Sequence, residues 1–206
     1  MTTEHESKWR YDLDPKIIKE ATGDIPWGRN LQIVESVDST SAELLRLAAE
    51  GAEEGTVLIA ERQSAGRGRE RKIWHTPSLV HLAMSVLLRP EIRPLDLPGV
   101  VLPISLGVCT ALESLTGFTF GIKWPNDIVY QDKKLCGILC ESRLLGGHVQ
   151  ALVVGVGINV NNDTFPGEIE RKAISLHEVA HKTFRRDLVA GRVLRTCWES
   201  YQDYYN

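Results

Sequence analysis

Lys134-Leu135-Cys136-Gly137-Ile138-Leu139-Cys140-Glu141-Ser142, then Arg143-Leu144-Leu145-Gly146-Gly147, then His148-Val149-Gln150-Ala151-Leu152-Val153-Val154-Gly155-Val156 is the stretch that decides the fold. Two extended runs, the second dense in valine, flank a Gly-Gly turn signal, which is the pattern of an antiparallel hairpin. Ahead of them Asp132-Lys133 reads as a turn that separates Ile128–Tyr130 from Lys134–Ser142, and Phe118–Trp124 adds one more extended run. Further strands read at Leu31–Ser36, Thr56–Glu61 and His81–Leu88. Helices read from Ser41 to about Glu50 and over Val100–Leu115, Ser175–Ala180 and Leu188–Tyr201. Thr40-Ser41-Ala42-Glu43 has the spacing of a capping box with Thr40 as the cap. Hairpins in succession, with helices segregated from them, predict an α+β domain: a mixed, largely antiparallel sheet with helices packed on it.

At 206 residues, 43% apolar and 25% charged, the chain has the composition of an ordinary globular domain. No stretch approaches the roughly 20 apolar residues that span a bilayer, so no membrane role is expected. Residues 1–30 are polar, with a weakly amphipathic stretch at Pro15–Ala21 and a turn-like Pro26-Trp27-Gly28-Arg29-Asn30. They read as an arm packed on a domain of residues 31–206, too short for a DNA-reading helix-turn-helix. The first residues, Met1-Thr2-Thr3-Glu4-His5-Glu6, carry neither a secretory nor a transit signal, and a cytoplasmic location is the default expectation. Of the four cysteines, only Cys136 and Cys140 are close in sequence, and no second Cys/His pair stands nearby at ligand spacing. All four read as core packing, with no fixed metal site.

Chemistry concentrates in Glu61-Arg62-Gln63-Ser64-Ala65-Gly66-Arg67-Gly68-Arg69-Glu70-Arg71-Lys72-Ile73-Trp74. Five cationic side chains and one anionic one lie between Arg62 and Lys72, on a chain whose net charge is −3. Gly66 and Gly68 alternate with Arg67 and Arg69, so the backbone can approach a ligand closely while guanidinium forks grip phosphate or carboxylate. A solvated basic loop is the competing reading. Lys123-Trp124-Pro125-Asn126-Asp127 is a second cluster, with Lys123 at the end of an extended run. No Walker A motif, nucleophile elbow or zinc helix occurs, and Gly155-Val156-Gly157-Ile158-Asn159-Val160 lacks the third glycine of a dinucleotide fingerprint.

Taken in order, Asp38-Ser39-Thr40, Gln63-Ser64-Ala65-Gly66-Arg67-Gly68-Arg69, Lys123-Trp124-Pro125-Asn126-Asp127, Lys134-Leu135-Cys136-Gly137-Ile138-Leu139 and Gly155-Val156-Gly157-Ile158-Asn159 resemble biotin protein ligases, in the superfamily that also holds lipoate ligases. The resemblance runs from about Leu31 to the end of the chain. It implies the biotin/lipoate ligase catalytic fold and a two-step, ATP- and Mg²⁺-dependent acyl transfer. Biotin's carboxylate attacks the α-phosphate of ATP, and the resulting biotinyl-5′-adenylate is attacked by a lysine of a biotin carboxyl carrier domain. By family position Ser39, Thr40, Ser41 and Gln63 would border biotin's ureido head, and Gly66, Arg67, Gly68 and Arg69 would cover biotin and the adenylate phosphate. Trp74 belongs to the same biotin site, Lys123 and Arg67 would be the catalytic cations, and Gly137 and Gly157 would give the ligand close passage. Arg67, Arg69, Asn126 and Asn159 would serve the nucleotide. The resemblance brings no DNA-binding domain and leaves a homodimer open.

Several positions depart from the family pattern. Arg71 stands where the loop usually has a later glycine, Lys72 where it has an arginine, and Ser41 where asparagine follows Asp-Ser-Thr. Arg71 would restrict the loop if that position needed positive φ. His75 and His81 read as hydrogen-bonded or surface histidines rather than bases. The small C-terminal β domain usual in the family is not expected in this sequence. A lipoate-type ligase and a non-catalytic biotin- or adenylate-binding protein are the alternatives, while the negative net charge argues against nucleic-acid binding through the loop.

Overall fold

The computed structural model describes residues 13–77 and 79–205, so the first twelve residues of the expected arm lie outside the described residues. Among the described residues seven strands form one sheet: β1 (Leu31–Val37), β2 (Val57–Gln63), β3 (His81–Leu88), β4 (Gly121–Lys123), β5 (Asp127–Tyr130), β6 (Lys133–Leu145) and β7 (His148–Asn159). Their order is β1-β2-β3-β7-β6-β5-β4. Only β1 and β2 pair in parallel, joined by a helical crossover, and every other pair is antiparallel. The expected Gly146-Gly147 turn is present, with both glycines at positive φ (58° and 82°). The turn ahead of β6 falls one residue earlier than the sequence suggests. Tyr130 pairs with Lys133, and Gln131 and Asp132 carry the positive φ values of a two-residue hairpin turn. The expected Phe118–Trp124 strand shortens to Gly121–Lys123.

The helices are α1 (Pro15–Thr22), α2 (Thr40–Ala49), α3 (Val101–Thr116), α4 (Leu176–Ala180) and α5 (Arg186–Tyr205). On one face of the sheet α2 packs Leu44 and Ala48 against Leu58, Leu87, Ala151 and Val153. The other face, with Val57, Ile59, Met84, Val86, Val154 and Val156, meets α1, α3 and α5 in the main core. Each fully buried leucine or valine contributes roughly 1.5–3 kcal/mol. Helices α3 and α5 touch backbone to backbone at Gly107, where a β-carbon would stand 2.5 Å from the Cys197 Cα. Thr196 Oγ1 donates to the Gly107 carbonyl at 2.7 Å across the same contact.

The amphipathic stretch before β1 forms α1, which Asp14 caps and Gly23 (φ 75°) ends, and Ile18, Ile25 and Trp27 are buried in the core. Two sequence expectations are corrected here. The cap of α2 is Ser39, whose side chain faces Ala42 N, whereas Thr40 is the first helical residue. Finally, Pro94–Thr116 is 23 residues long with mean hydropathy 1.7, long and apolar enough by composition to cross a membrane. It is instead a 3-10 turn followed by α3, half buried between the sheet and α5. The cysteines follow expectation: Cys109, Cys136 and Cys197 are buried, and burial raises all four thiols, Cys109 to about 11 and Cys140 to about 12.

At the first residue of α5 the Arg186 guanidinium, wholly buried, makes a two-point pair with Glu61 (both 2.8 Å) and donates to the His81 carbonyl (3.2 Å). This clamp ties α5 to the ends of β2 and β3, and removing one partner would strand a buried charge at a cost of about 3–5 kcal/mol. His81 beside it is 1% exposed, with Nδ1 at 2.6 Å from the Pro77 carbonyl. Burial pushes its pKa down to about 4, helped by Arg186 and opposed by Pro77 and Glu61. The folded state therefore holds His81 neutral where the unfolded chain would protonate it. Its contribution is intact above about pH 6.5 and is lost as pH falls toward about 4, by up to roughly 3 kcal/mol. His81→Gln should flatten the pH dependence of the urea midpoint between about pH 6.5 and 4.5; a slope as steep as the parent's would mean that other groups govern it.

Candidate functional site

Register places one row of residues across the whole sheet: Val34, Ala60, Ala83, Gly157, Gly137, Asp127 and Lys123. Partners in register share a face, and this is the face that α2 covers. The next row on that face holds Leu58, Ser85, Gly155 and Leu139. Ala83, Gly157 and Gly137 at the centre of the first row and Ser85 and Gly155 at the centre of the second leave a trough in the sheet beyond the N-terminus of α2. A β-carbon at Gly155 would meet Ser41 Oγ at 2.6 Å, and one at Gly157 would lie 2.5 Å from the Trp74 ring.

One wall of the trough is a closed polar network. Thr40 N and Oγ1 donate to Gln63 Oε1 (2.8 and 3.1 Å), and the Ser85 hydroxyl lies 2.8 Å from Thr40 Oγ1 and 3.0 Å from Ser41 Oγ. Ser39 N is held by Asp38 Oδ1 at 2.7 Å, and the Arg46 guanidinium, ahead of Ser39 N and Arg67, keeps the Asp38 carboxyl below the usual range. The opposite wall is the basic loop, folded as a small hairpin with Gly68 N on the Lys72 carbonyl (2.8 Å) and Trp74 N on the Gly66 carbonyl (3.0 Å). A 3-10 turn spans Arg69–Arg71, and its left-handed residue is Glu70 (φ 56°), one position before Arg71. The loop returns the Trp74 indole over Gly137 and Gly157, with its Nε1 buried and without a hydrogen-bond partner among the described residues.

The cations of the site rest on internal acceptors. Arg67 pairs with Glu141 at 2.7 Å, Arg69 Nη1 donates to Asn126 Oδ1 at 3.3 Å, and Lys134 Nζ stands 2.7 Å from Asp127 Oδ1. The last contact is an ion pair. Lys134 Nζ also lies 5.3 Å above the Trp74 ring.

Two cavities meet at Trp74 and Lys134. The smaller, about 50 Å³, is lined by Ser39, Thr40, Ser41, Gln63, Arg67, Gly68, Arg69, Asn126, Gly137 and Gly157. With the indole in place it has room for a few waters. The larger, about 460 Å³, is lined by Lys72, Lys123, Lys172, Asp127, Asn159, Asn162 and Phe165 among others, a size usual for small-molecule sites. The structure therefore gathers all the expected biotin-site residues except two. Gly66 lies beneath the loop as a carbonyl acceptor, and Lys123 is exposed at the edge strand, facing the larger cavity. Asn126, expected with the nucleotide set, lines the smaller cavity and donates to the Ile138 carbonyl at 3.0 Å, while Asn159 lines the larger. Lys134, Ser85, Glu141 and Asn162 were given no role by the sequence. Lys134 opens one of the five motifs, and Ser85 is the hydroxyl in the middle of an otherwise apolar strand; those were the available signals.

The pattern of the Biotin/lipoate A/B protein ligase family matches residues 33–159. The bifunctional ligase/repressor BirA of Bacillus spizizenii is 33% identical over 201 residues, covering 97% of this chain and 59% of that protein. The biotin–acetyl-CoA-carboxylase ligase of Mycobacterium tuberculosis is 36% identical, covering 81% of this chain and 62% of that protein. The chain thus spans about three fifths of the length of these relatives. Among solved structures, a biotin protein ligase from Aquifex aeolicus in complex with biotin and ATP superposes with a TM-score of 0.73 and 38% identity, over 85% of this chain and 72% of that one.

The close approach at Gly157 gives a direct test of the trough. Gly157→Ala should expel the indole, raising the acrylamide quenching of Trp74, read as the difference from a Trp74→Phe partner, with the melting temperature within a few degrees of the parent. Unchanged quenching would mean that the indole does not depend on the missing β-carbon.

Proposed function

Since the chain belongs to the biotin/lipoate A/B protein ligase family, we propose that it activates biotin with ATP and transfers the biotinyl group to a lysine of a biotin carboxyl carrier domain, with residues 31–206 as the catalytic unit. The observation that carries this reading is the junction of the two cavities at Lys134 and Trp74. A carboxylate lying along the smaller cavity and an α-phosphate reaching from the larger would meet beside the Lys134 ammonium. Two anions repel, so bringing them together needs fixed cations, and preorganised charge at the reacting atoms is a large part of such catalysis. Lys134 supplies it at the junction, and Arg67 and Arg69 supply it from the loop once ligand anions draw them from Glu141 and Asn126.

The polar wall selects the acyl group. Thr40, Ser41, Gln63 and Ser85 offer donors and acceptors suited to a ureido head, whereas the dithiolane of lipoate has no polar group to engage them. The opened trough over Gly137 and Gly157 would hold the flat of the ligand, with the indole as its cover. Magnesium fits the larger cavity: the carboxylates Asp127 and Asp132 both line it, and one or two carboxylates plus phosphates are its usual setting. Bound there it would neutralise the triphosphate. In the second step the attacking amine must lose its proton, and the surrounding cations lower a nearby lysine's pKa without a dedicated base.

The test is release of pyrophosphate from ATP on adding biotin, with lipoate as the control acid. Lys134→Met should lower the rate by at least about 100-fold, as for loss of one preorganised donor at a reacting oxygen, while Lys123→Met should lower it less than about tenfold. Release driven equally by lipoate would overturn the assignment of the acid, and equal losses in the two variants would overturn that of Lys134.

A further inference from the structure

The basic loop returns to the sheet through Trp74-His75-Thr76-Pro77, and the Thr76 hydroxyl there joins two parts of the site. Gln63 Oε1 takes both donors of Thr40, N at 2.8 Å and Oγ1 at 3.1 Å. Two donors on one atom mark it as the oxygen, which turns the amide nitrogen the other way. That nitrogen, Nε2, donates to Thr76 Oγ1 at 3.3 Å, and Thr76 Oγ1 donates to the Trp74 carbonyl, also at 3.3 Å. A hydroxyl has one proton to give, so the chain runs one way, from Thr40 through Gln63 and Thr76 to Trp74. Its links are unequal. The bond from Thr40 N has an ordinary length, whereas the two at Thr76 are long, so the wall is durable and its tie to the loop is the part that yields. Gly66 leaves the tie its room: a β-carbon there would collide with the Trp74 carbonyl and stand 3.2 Å from Thr76 Oγ1 and 3.3 Å from Gln63 Nε2. Pro77, the next residue, is anchored through its carbonyl on His81 Nδ1 at 2.6 Å, so Thr76 is held from behind.

We propose that Thr76 is a positioning residue that couples the polar wall to the tryptophan cover; this rests on the ligase reading, which puts a cyclic urea against that wall. Gln63 lines the smaller cavity, and Trp74 stands over Gly137 and Gly157 in the same cavity. In the empty site the hydroxyl ties one to the other and keeps the indole seated. A urea carbonyl that accepts from Nε2 draws the amide toward itself and lengthens a bond that is already long. The tie to the Trp74 carbonyl loosens with it, and the loop is free to lift the indole from the trough. Thr76 itself touches neither acid nor nucleotide. It passes the arrival of the head group to the residue that would have to move.

The probe is 2-imidazolidone, the bare cyclic urea, which has the N–H and carbonyl groups of the head but no second ring or chain to push the indole aside. Acrylamide quenching of Trp74 is read for each protein as the difference from its Trp74→Phe partner. In the parent the urea should raise it. In Thr76→Val quenching should start higher, with the open-to-closed ratio of the cover shifted roughly 2- to 10-fold, as for loss of one hydrogen bond, and should no longer respond to the urea. Thr76→Ser keeps the hydroxyl and should restore both the parent's value and its response. A parent that does not respond, a valine variant that responds as the parent does, or a serine variant that behaves like the valine one overturns the proposal. Pyrophosphate release by the parent on adding biotin and ATP is measured alongside: its absence would refute the ligase reading, while quenching of the free valine and serine variants still decides whether Thr76 seats the indole.

Discussion

Ala83, Gly157 and Gly137 stand abreast on three neighbouring strands, and the candidate site depends on that alignment. Side chains on a sheet normally fill the space above it. Here three adjacent positions carry at most a methyl group, and the vacated volume is roofed by Trp74 on one side and bordered by the start of α2 on the other. A register slip of one residue would turn these positions to the opposite face and bring Met84, Val156 and Ile138 into the trough. The apolar packing of α2 on Leu58, Leu87, Ala151 and Val153 forbids that slip, because it would expose the same alternation that builds the core. Core and site are therefore set by one register.

The charges around the trough obey a second constraint. Arg67, Arg69 and Lys134 border the trough, and each rests on an oxygen of the protein itself. Arg67 and Glu141 are partly solvated, so their pair holds the loop only weakly. On the proposed function that is a fitting resting state, because the tryptophan would have to leave the trough before a bicyclic acid could lie there. The Arg186–Glu61 clamp is different in kind: it is buried, two-pointed and away from the trough, and it fixes the scaffold.

The hairpin from Lys133 to Asn159 was legible because period-2 patterning and the Gly146-Gly147 turn are local signals. The order of the sheet and the meeting of loop, α2 and β6 were visible only through resemblance, because they depend on long-range pairing. The cap of α2 fell one residue off since Ser39 and Thr40 are both good caps, and what separates them is that Thr40 is claimed by Gln63 and Ser85. Lys123 and Lys134 look alike in sequence, each a lysine at a strand end. Pairing puts Lys123 on the exposed edge strand, whereas the irregular register between Ile128 and Val129 brings Lys134 beside Gly137 and Trp74. Thr76 gave no signal at all, because a hydroxyl that ties two separate segments together is a property of three-dimensional surroundings.

The central claim is that the small-residue trough is the acid site and that Lys134 marks the point where acid and nucleotide meet. A crystal structure with biotin and a non-hydrolysable ATP analogue tests it most directly. The account predicts the ureido head against Thr40, Ser41 and Gln63, the ring system over Gly137 and Gly157 with the indole shifted to cover it, and the carboxylate and α-phosphate on either side of Lys134 Nζ. Biotin bound elsewhere with Trp74 still seated on Gly157, or the two reacting groups meeting at Lys123, would contradict it.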